Sequence, residues 1–181
     1  MSKFRAPAVA TLALVLAGCG FHPLYAVPGA ARGSMKSHLG SIYVEPVPDR
    51  LGYELRNSLI DVLSARASNV GADYRLRLTL AQKSDAIGVQ SQIVGTGPTA
   101  ITQTAITRYN DTLTVNYELV DLKTNKVIAH GTESGLSSYN VLGSPYATLA
   151  VQQDADKRAA DDIADRIRID LAVFFAQTPA K

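Results

Sequence analysis

The residues predict an α+β fold: a two-layer sandwich in which a mostly antiparallel sheet of about four strands carries two amphipathic helices on one face. Two segments repeat apolar residues at helical spacing, one around Leu55 and one around Ile163. Between them lie stretches that alternate apolar and polar side chains, most regularly Tyr74, Leu76, Leu78 and Leu80 against Arg75, Arg77, Thr79 and Ala81. Two amphipathic helices need a shared apolar surface, and that Tyr74–Leu80 face is the one available.

Taken in order, residues 26–40 are rich in Gly, Ala, Ser and Pro and show no period, so they read as a tether or a peptide lying on the domain. Residues 41–47 hold β-prone Ile42, Val44 and Val47 but end at Pro46 and Pro48, which suits a short edge strand. Asp49 is positioned to cap the following helix. In that helix Leu51, Leu55, Leu59, Val62 and Leu63 form the apolar stripe, which should fade near Ser68-Asn69 and stop by Gly71. Strand 74–81 follows, with a weaker continuation through Ile87, Val89 and Ile93 to a break at Gly95–Pro98.

Residues 99–121 alternate again at Leu113, Val115, Tyr117 and Leu119, and 122–126 reads as a turn. Residues 127–139 return as an antiparallel partner whose alternation is blurred at Gly131 and Gly135. Ser144-Pro145 opens the last helix as a cap and first-turn pair. Ala155, Ala159, Ile163, Ile167 and Leu171 recur every fourth residue there, Phe174 and Phe175 close the stripe, and Thr178-Pro179 ends it. Asp154–Arg158 and Asp162–Arg166 place the acid before the base, the favourable order on a helix surface.

The N-terminus carries its own information. Lys3 and Arg5 precede an apolar run from Ala6 to Leu16 that is shorter than the roughly 20 residues a membrane-spanning helix needs. Small residues then lead to Cys19, so residues 1–18 read as a secretory signal. Leu16-Ala17-Gly18-Cys19 resembles the bacterial lipoprotein processing box, and the chain holds no other cysteine. The resemblance implies cleavage before Cys19, which then bears an S-diacylglycerol and an N-acyl group and anchors the protein to a membrane. Gly20 follows rather than Asp, which in such lipoproteins points to the outer membrane. The organisation is thus a signal at 1–18, a lipidated tether at 19–40 and an α+β domain at 41–178.

Removing Lys3 and Arg5 from the chain's 18 basic residues leaves 16, matched by 16 acidic ones. A mature chain without net charge gives no argument for nucleic acid, and any anion must be met by local clusters. No His pair has metal-ligand spacing and the only thiol goes to lipid, so neither metal nor cofactor is expected. His22 and His38 fall in the tether. His130 falls in a strand, and without a Gly-x-Ser-x-Gly elbow it supports a periplasmic hydrolase only distantly. The chain reads as a non-enzyme. One basic constellation stands out: Arg75 and Arg77 share a strand face about 6 to 7 Å apart, with Lys83 and Arg108 on the same side. Paired guanidiniums at that spacing can each hold a phosphate, and plain alternation also produces a solvated polar face there.

Cys19-Gly20-Phe21-His22-Pro23-Leu24-Tyr25 is similar to the mature start of the LptE family of lipopolysaccharide-assembly lipoproteins. So are Ser138-Tyr139-Asn140, Ser144-Pro145-Tyr146-Ala147 and the helix from Asp154-Ala155 through Arg158-Ala159-Ala160 to Ile163-Ala164 and Ile167. The resemblance implies a plug inside the β-barrel protein LptD, lipopolysaccharide as ligand and no catalytic residue. It makes Arg108 the matching basic contact. An auxiliary lipoprotein of a lipid-trafficking ABC transporter is the alternative, sharing the processing box and a strand–helix start like Ile42–Pro46.

Overall fold

A computed structural model describes residues 29–177. Cys19, the signal, the Phe21–Tyr25 motif, His22 and the Thr178-Pro179 stop lie outside the described residues. The chain divides into two units after Ser34, and of the first only the start of a helix is described.

That helix, α1 (Gly29–Gly40), occupies most of the stretch expected to lack a period, so the described part carries three helices rather than two. Its last turns belong to the second unit, where Leu39 is buried and Met35 packs on the core. His38 is no tether residue either: its ring stacks on Phe175 at 5.2 Å, and Phe175 in turn meets Tyr74 at 5.2 Å. Composition hid this helix because too few of its residues are large enough to mark a stripe.

The sheet is open and ordered β1-β2-β3-β4. Strand β1 (Ile42–Val44) is the expected short edge, and it pairs parallel to β2 (Tyr74–Val94). Parallel neighbours need a crossover, which α2 (Asp49–Leu63) supplies. Two expectations about α2 fail. Pro48 occupies the N-cap and no side-chain cap bond forms, while Asp49 starts the helix at a φ of +68°. The helix also ends at Leu63 rather than near Ser68, because Ser64 turns left-handed and Ala65 donates back to the Ile60 carbonyl. Arg66 then reaches the Ile42 carbonyl, so the chain returns to the sheet a full turn early.

β2 runs unbroken through the expected weak continuation and pairs antiparallel with β3 (Ile101–Asp121). A register irregularity at Ile87-Gly88 interrupts the ladder, and the Gly97–Thr99 turn of 3₁₀ helix closes it at the expected break. β4 (Lys126–Asn140) follows a turn held by Asp121, whose carboxylate accepts from the Lys123 and Thr124 amides at 2.8 and 2.9 Å. The turn amides hold that carboxyl below its usual range.

The last helix, α3 (Pro145–Gln177), buries all five stripe residues from Ala155 to Leu171, and both predicted ion pairs form. The core joins Leu55, Leu59 and Leu63 of α2 and Ile163 and Ile167 of α3 to Leu76, Leu78, Val115 and Leu119 of the sheet. The blurred alternation in β4 has a steric cause. A Cβ on Gly131 would come within 2.5 Å of the Tyr117 hydroxyl, and one on Gly135 within 3.1 Å of Ile163. Both glycines leave room for a bulky neighbour, and Tyr117 uses that room to donate to Asp170 at 2.9 Å. Burial, then that hydrogen bond, push the phenol well above its ordinary pKa.

β4 covers β3 only from Arg108 to Asp121. Beyond Arg108 the hairpin continues as two strands alone, and every described side chain from Val89 to Ile106 is exposed. This arm points out of a body that holds all the buried residues.

Candidate functional site

The four basic residues separate once the strands are laid out. Arg75 and Arg77 do share a face, but Glu45 lies between them. Its two oxygens are 3.4 Å from Arg75 Nε and 3.5 Å from Arg77 Nε, and Arg77 also donates to Glu118 at 3.1 Å. Parallel pairing puts Tyr43 beside Arg75 and Val44 beside Leu76, which carries Glu45 to that face. The pair is thus already neutralised, as in the solvated-face reading. Lys83 bonds Asp85 at 2.8 Å, with both side chains in water.

Arg108 does not belong with them. It sits about ten positions further along β3 than Glu118, roughly 33 Å of strand. Among the described residues no carboxylate pairs with it. It lines a groove of about 320 Å³ at the base of the arm, where β4 ends and α3 begins.

The groove is built by local geometry. Arg108 pairs with Asn140, the last ladder position of β4, and Tyr109 stacks on Tyr139 at 5.6 Å. Ser138 donates to Asn110 at 2.5 Å. The chain then turns as Val141 donates to the Thr107 carbonyl at 2.9 Å and Leu142 to the Thr148 hydroxyl at 2.9 Å. Pro145 opens the helix, and Val151, Asp154 and Arg158 form the opposite wall. Arg158 is paired to Asp154, so Arg108 is the unmatched cation. Ser138, Tyr139 and Asn140 line the floor. Leu142 and Val151 give the groove its apolar lining, and exposed Val141, Tyr146 and Leu149 belong to the same stretch of chain. Such a site suits an amphiphile: a guanidinium for a phosphate, polar groups for a sugar and apolar side chains for an acyl chain.

Arg158 was not legible as a site residue because the helix pattern explains it as half of an ion pair. The signal was present in the Ser138–Asn140 and Asp154–Arg158 stretches, which fold onto opposite walls of one groove.

His130, the residue behind the hydrolase alternative, lies exposed on β4 opposite Glu118. The nearby Asp170 is engaged by Tyr117 rather than by an imidazole. Among the described residues no group of His, Cys, Asp and Glu is arranged to hold a metal, and no helix is long and apolar enough to cross a membrane.

A family model described as LptE, lipopolysaccharide-assembly, matches residues 39–171. That range takes in the sheet, the arm and both walls of the groove. The chain belongs to the LptE family. It is therefore a bacterial-envelope lipoprotein of lipopolysaccharide assembly and not an enzyme, and it works with other lipopolysaccharide-transport proteins. Among relatives of this LptE-family chain, an uncharacterized protein of Rickettsia prowazekii is 26% identical over 165 residues, 91% of this chain and 93% of that one. A crystal structure provisionally described as a lipoprotein, from Caulobacter crescentus CB15, superposes with a TM-score of 0.63 at 27% identity. It covers 81% of this chain and 99% of its own.

Proposed function

We propose that acylated Cys19 holds this protein at the periplasmic side of the outer membrane, and that the folded domain plugs the β-barrel LptD. In that position the Arg108 groove receives a phosphate of lipopolysaccharide on its way to the outer leaflet. The observation that carries the reading is the arm. From Ala86 to Thr107 no residue is charged, yet Ile87, Val89, Ile93, Ile101 and Ile106 are exposed. Charged side chains would have to be desolvated in a closed lumen, whereas Thr, Ser and Gln can bond its wall. The two strands also leave backbone groups unpaired along both edges, which lipid does not tolerate. At membrane depth such an arm needs protein around it, and a barrel interior provides that.

The test places a photocrosslinking amino acid at Val89, Ile93 or Ile106 in the lipidated protein in cells. Crosslinks to an outer-membrane barrel are expected, and they should be absent when the probe replaces exposed Asp165 on the far side of α3. Crosslinks to transporter subunits instead would support the ABC-transporter alternative and overturn the plug. Cys19→Ser should leave the precursor uncleaved, and fatty acid incorporated into that variant would remove the anchor from the proposal.

A further inference from the structure

We infer, on the reading of Arg108 as the phosphate contact, that Gly88 is its positioning residue. Carrying no side chain opposite Arg108, Gly88 lets the arginine's backbone close in on β2 and leaves its guanidinium to the α3 groove. Along the β2–β3 ladder, the residue opposite a cation decides whether it is neutralised. Arg77 faces Glu118 and is paired with it at 3.1 Å. Arg108 faces Gly88 on β2 and Asn140 on β4, so neither neighbouring strand sets a carboxylate opposite it.

The approach at Gly88 is closer than a side chain permits. A Cβ there would lie 2.9 Å from Arg108 Cβ, 3.0 Å from the Arg108 backbone nitrogen and 2.5 Å from the Thr107 hydroxyl oxygen. A backbone nitrogen and the root of a side chain cannot swing aside, so the strand itself would have to move. The register shows what the closeness achieves. Ala86 faces Tyr109 and Val89 faces Ile106, with the Gly88–Arg108 pair out of step between them, so Ile87 and Thr107 have no partner in this ladder. An irregularity of this kind sharpens the local twist and re-aims side chains. The Thr107 carbonyl takes the Val141 amide at 2.9 Å, and Leu142, one residue on, donates to the Thr148 hydroxyl of α3. Gly88 thus supports both the root of Arg108 and the turn that brings α3 to it.

The other glycines with close neighbours in the sheet serve a different end. Gly131 and Gly135 make room for Tyr117 and Ile163, which are buried core side chains. Gly88 makes room for the backbone and stem of an arginine that is itself exposed, at the root of the arm and outside the core cluster. Glycine weakens a strand, so a close approach is what this position gains from it. A side chain at 88 therefore acts first on Arg108 and the Val141 turn, and only weakly on the packing of the body.

The experiment uses the mature lipidated chain in detergent, with purified lipopolysaccharide as the probe. Gly88→Ala should weaken binding about tenfold, as Arg108→Ala does. The variant carrying both should bind no more weakly than Arg108→Ala alone, because alanine at 88 then has no guanidinium to displace. The salt dependence of binding should flatten alike in all three variants. Losses that multiply in the double variant overturn the inference, as does parent-like binding by Gly88→Ala where Arg108→Ala has lost it. The placement is also read without ligand, by NMR. In the parent, the Gly88 α-protons should show strong Overhauser contacts to the Arg108 amide, and their absence overturns the inference with no variant having to fold. In Gly88→Ala the Val141 amide should exchange faster, while the amides of Leu76 and Leu119 keep the parent's rates. Unchanged exchange at Val141, or faster exchange throughout the sheet, overturns the positioning role. Should Arg108→Ala bind as the parent does, the phosphate reading fails, and the ligand-free measurements still decide whether Gly88 places Arg108.

Discussion

Between Tyr74 and Lys83, strand β2 lays Leu76 and Leu78 under two helices and brackets them with Arg75, Arg77 and Lys83, each paired to a carboxylate. Between Val89 and Val94 the same strand lifts Val89 and Ile93 into the open, the latter 71% exposed, with no charge nearby in the ladder. Apolar residues fall on alternate positions in both halves, at 74, 76, 78 and 80 and at 87, 89 and 93 with Ser91 between, so alternation alone cannot tell a covered face from a free one. Charge distinguishes them. The body surrounds its core with ion pairs that keep a free surface in water, while the arm lacks the charges that normally guard exposed strand edges. A free strand of this composition is made for a neighbour outside its own fold.

The comparison breaks if substitutions in the arm cost as much stability as those in the body. The largest loss is expected from Leu59→Ala or Leu78→Ala, about 2 to 5 kcal/mol in denaturant unfolding, because each empties a site between helix and sheet. Gly131→Val should follow, at about 1 to 3 kcal/mol, since the added side chain must displace the Tyr117 ring. Gly131→Val unfolding at the parent's denaturant concentration would mean that Tyr117 has somewhere else to go.

Arg108→Glu sharpens the boundary between the two regions. It removes the one unmatched cation of the groove, so lipopolysaccharide binding to the purified protein should weaken by about tenfold or more while the fold persists, because charged hydrogen bonds contribute about 1.5 to 3 kcal/mol. Binding should also fall as salt rises, with screening lengths near 8 Å at physiological ionic strength. Arg75→Ala with Arg77→Ala should cost at most about 1 kcal/mol of stability and leave lipopolysaccharide binding unchanged, as both arginines are part-exposed and already paired with Glu45 or Glu118. If that double variant loses binding and Arg108→Glu does not, the site lies on the sheet face and not in the groove. The smallest stability effect, within about 0.5 kcal/mol, is expected for Ile93→Ser with Ile106→Ser. Co-purification with the barrel should nevertheless drop, and a normal yield of complex would remove the arm from the interface.

Much of the body was legible in the chain, for a clear reason. Leu55–Leu59–Leu63 and Ala159–Ile163–Ile167 mark helices because burial selects residues on one side of a 3.6-residue repeat, and Leu76–Leu78 mark a strand because it selects every second one. The α1 helix left no such mark, since the burial it gains rests on Met35, Leu39 and a stacked His38 rather than on a stripe. The end of α2 was misplaced for a related reason: Ser64 turns where the Ile42 strand is waiting, a partner more than twenty residues away.

The candidate site shows the same division. The sequence alone determined that Arg75 and Arg77 share a face, that Arg108 is basic where the LptE resemblance needs a cation, and that residues 86–107 are uncharged. Only the tertiary structure decided that Glu45 reaches the first two, that Arg108 lies a long way from them against α3, and that Gly88 stands opposite it. Local periodicity follows from the geometry of a single helix or strand, so neighbours in the chain carry it. Which charges find a partner depends on strand order, register and the path of a helix across the sheet, and these bring together residues that no local pattern connects.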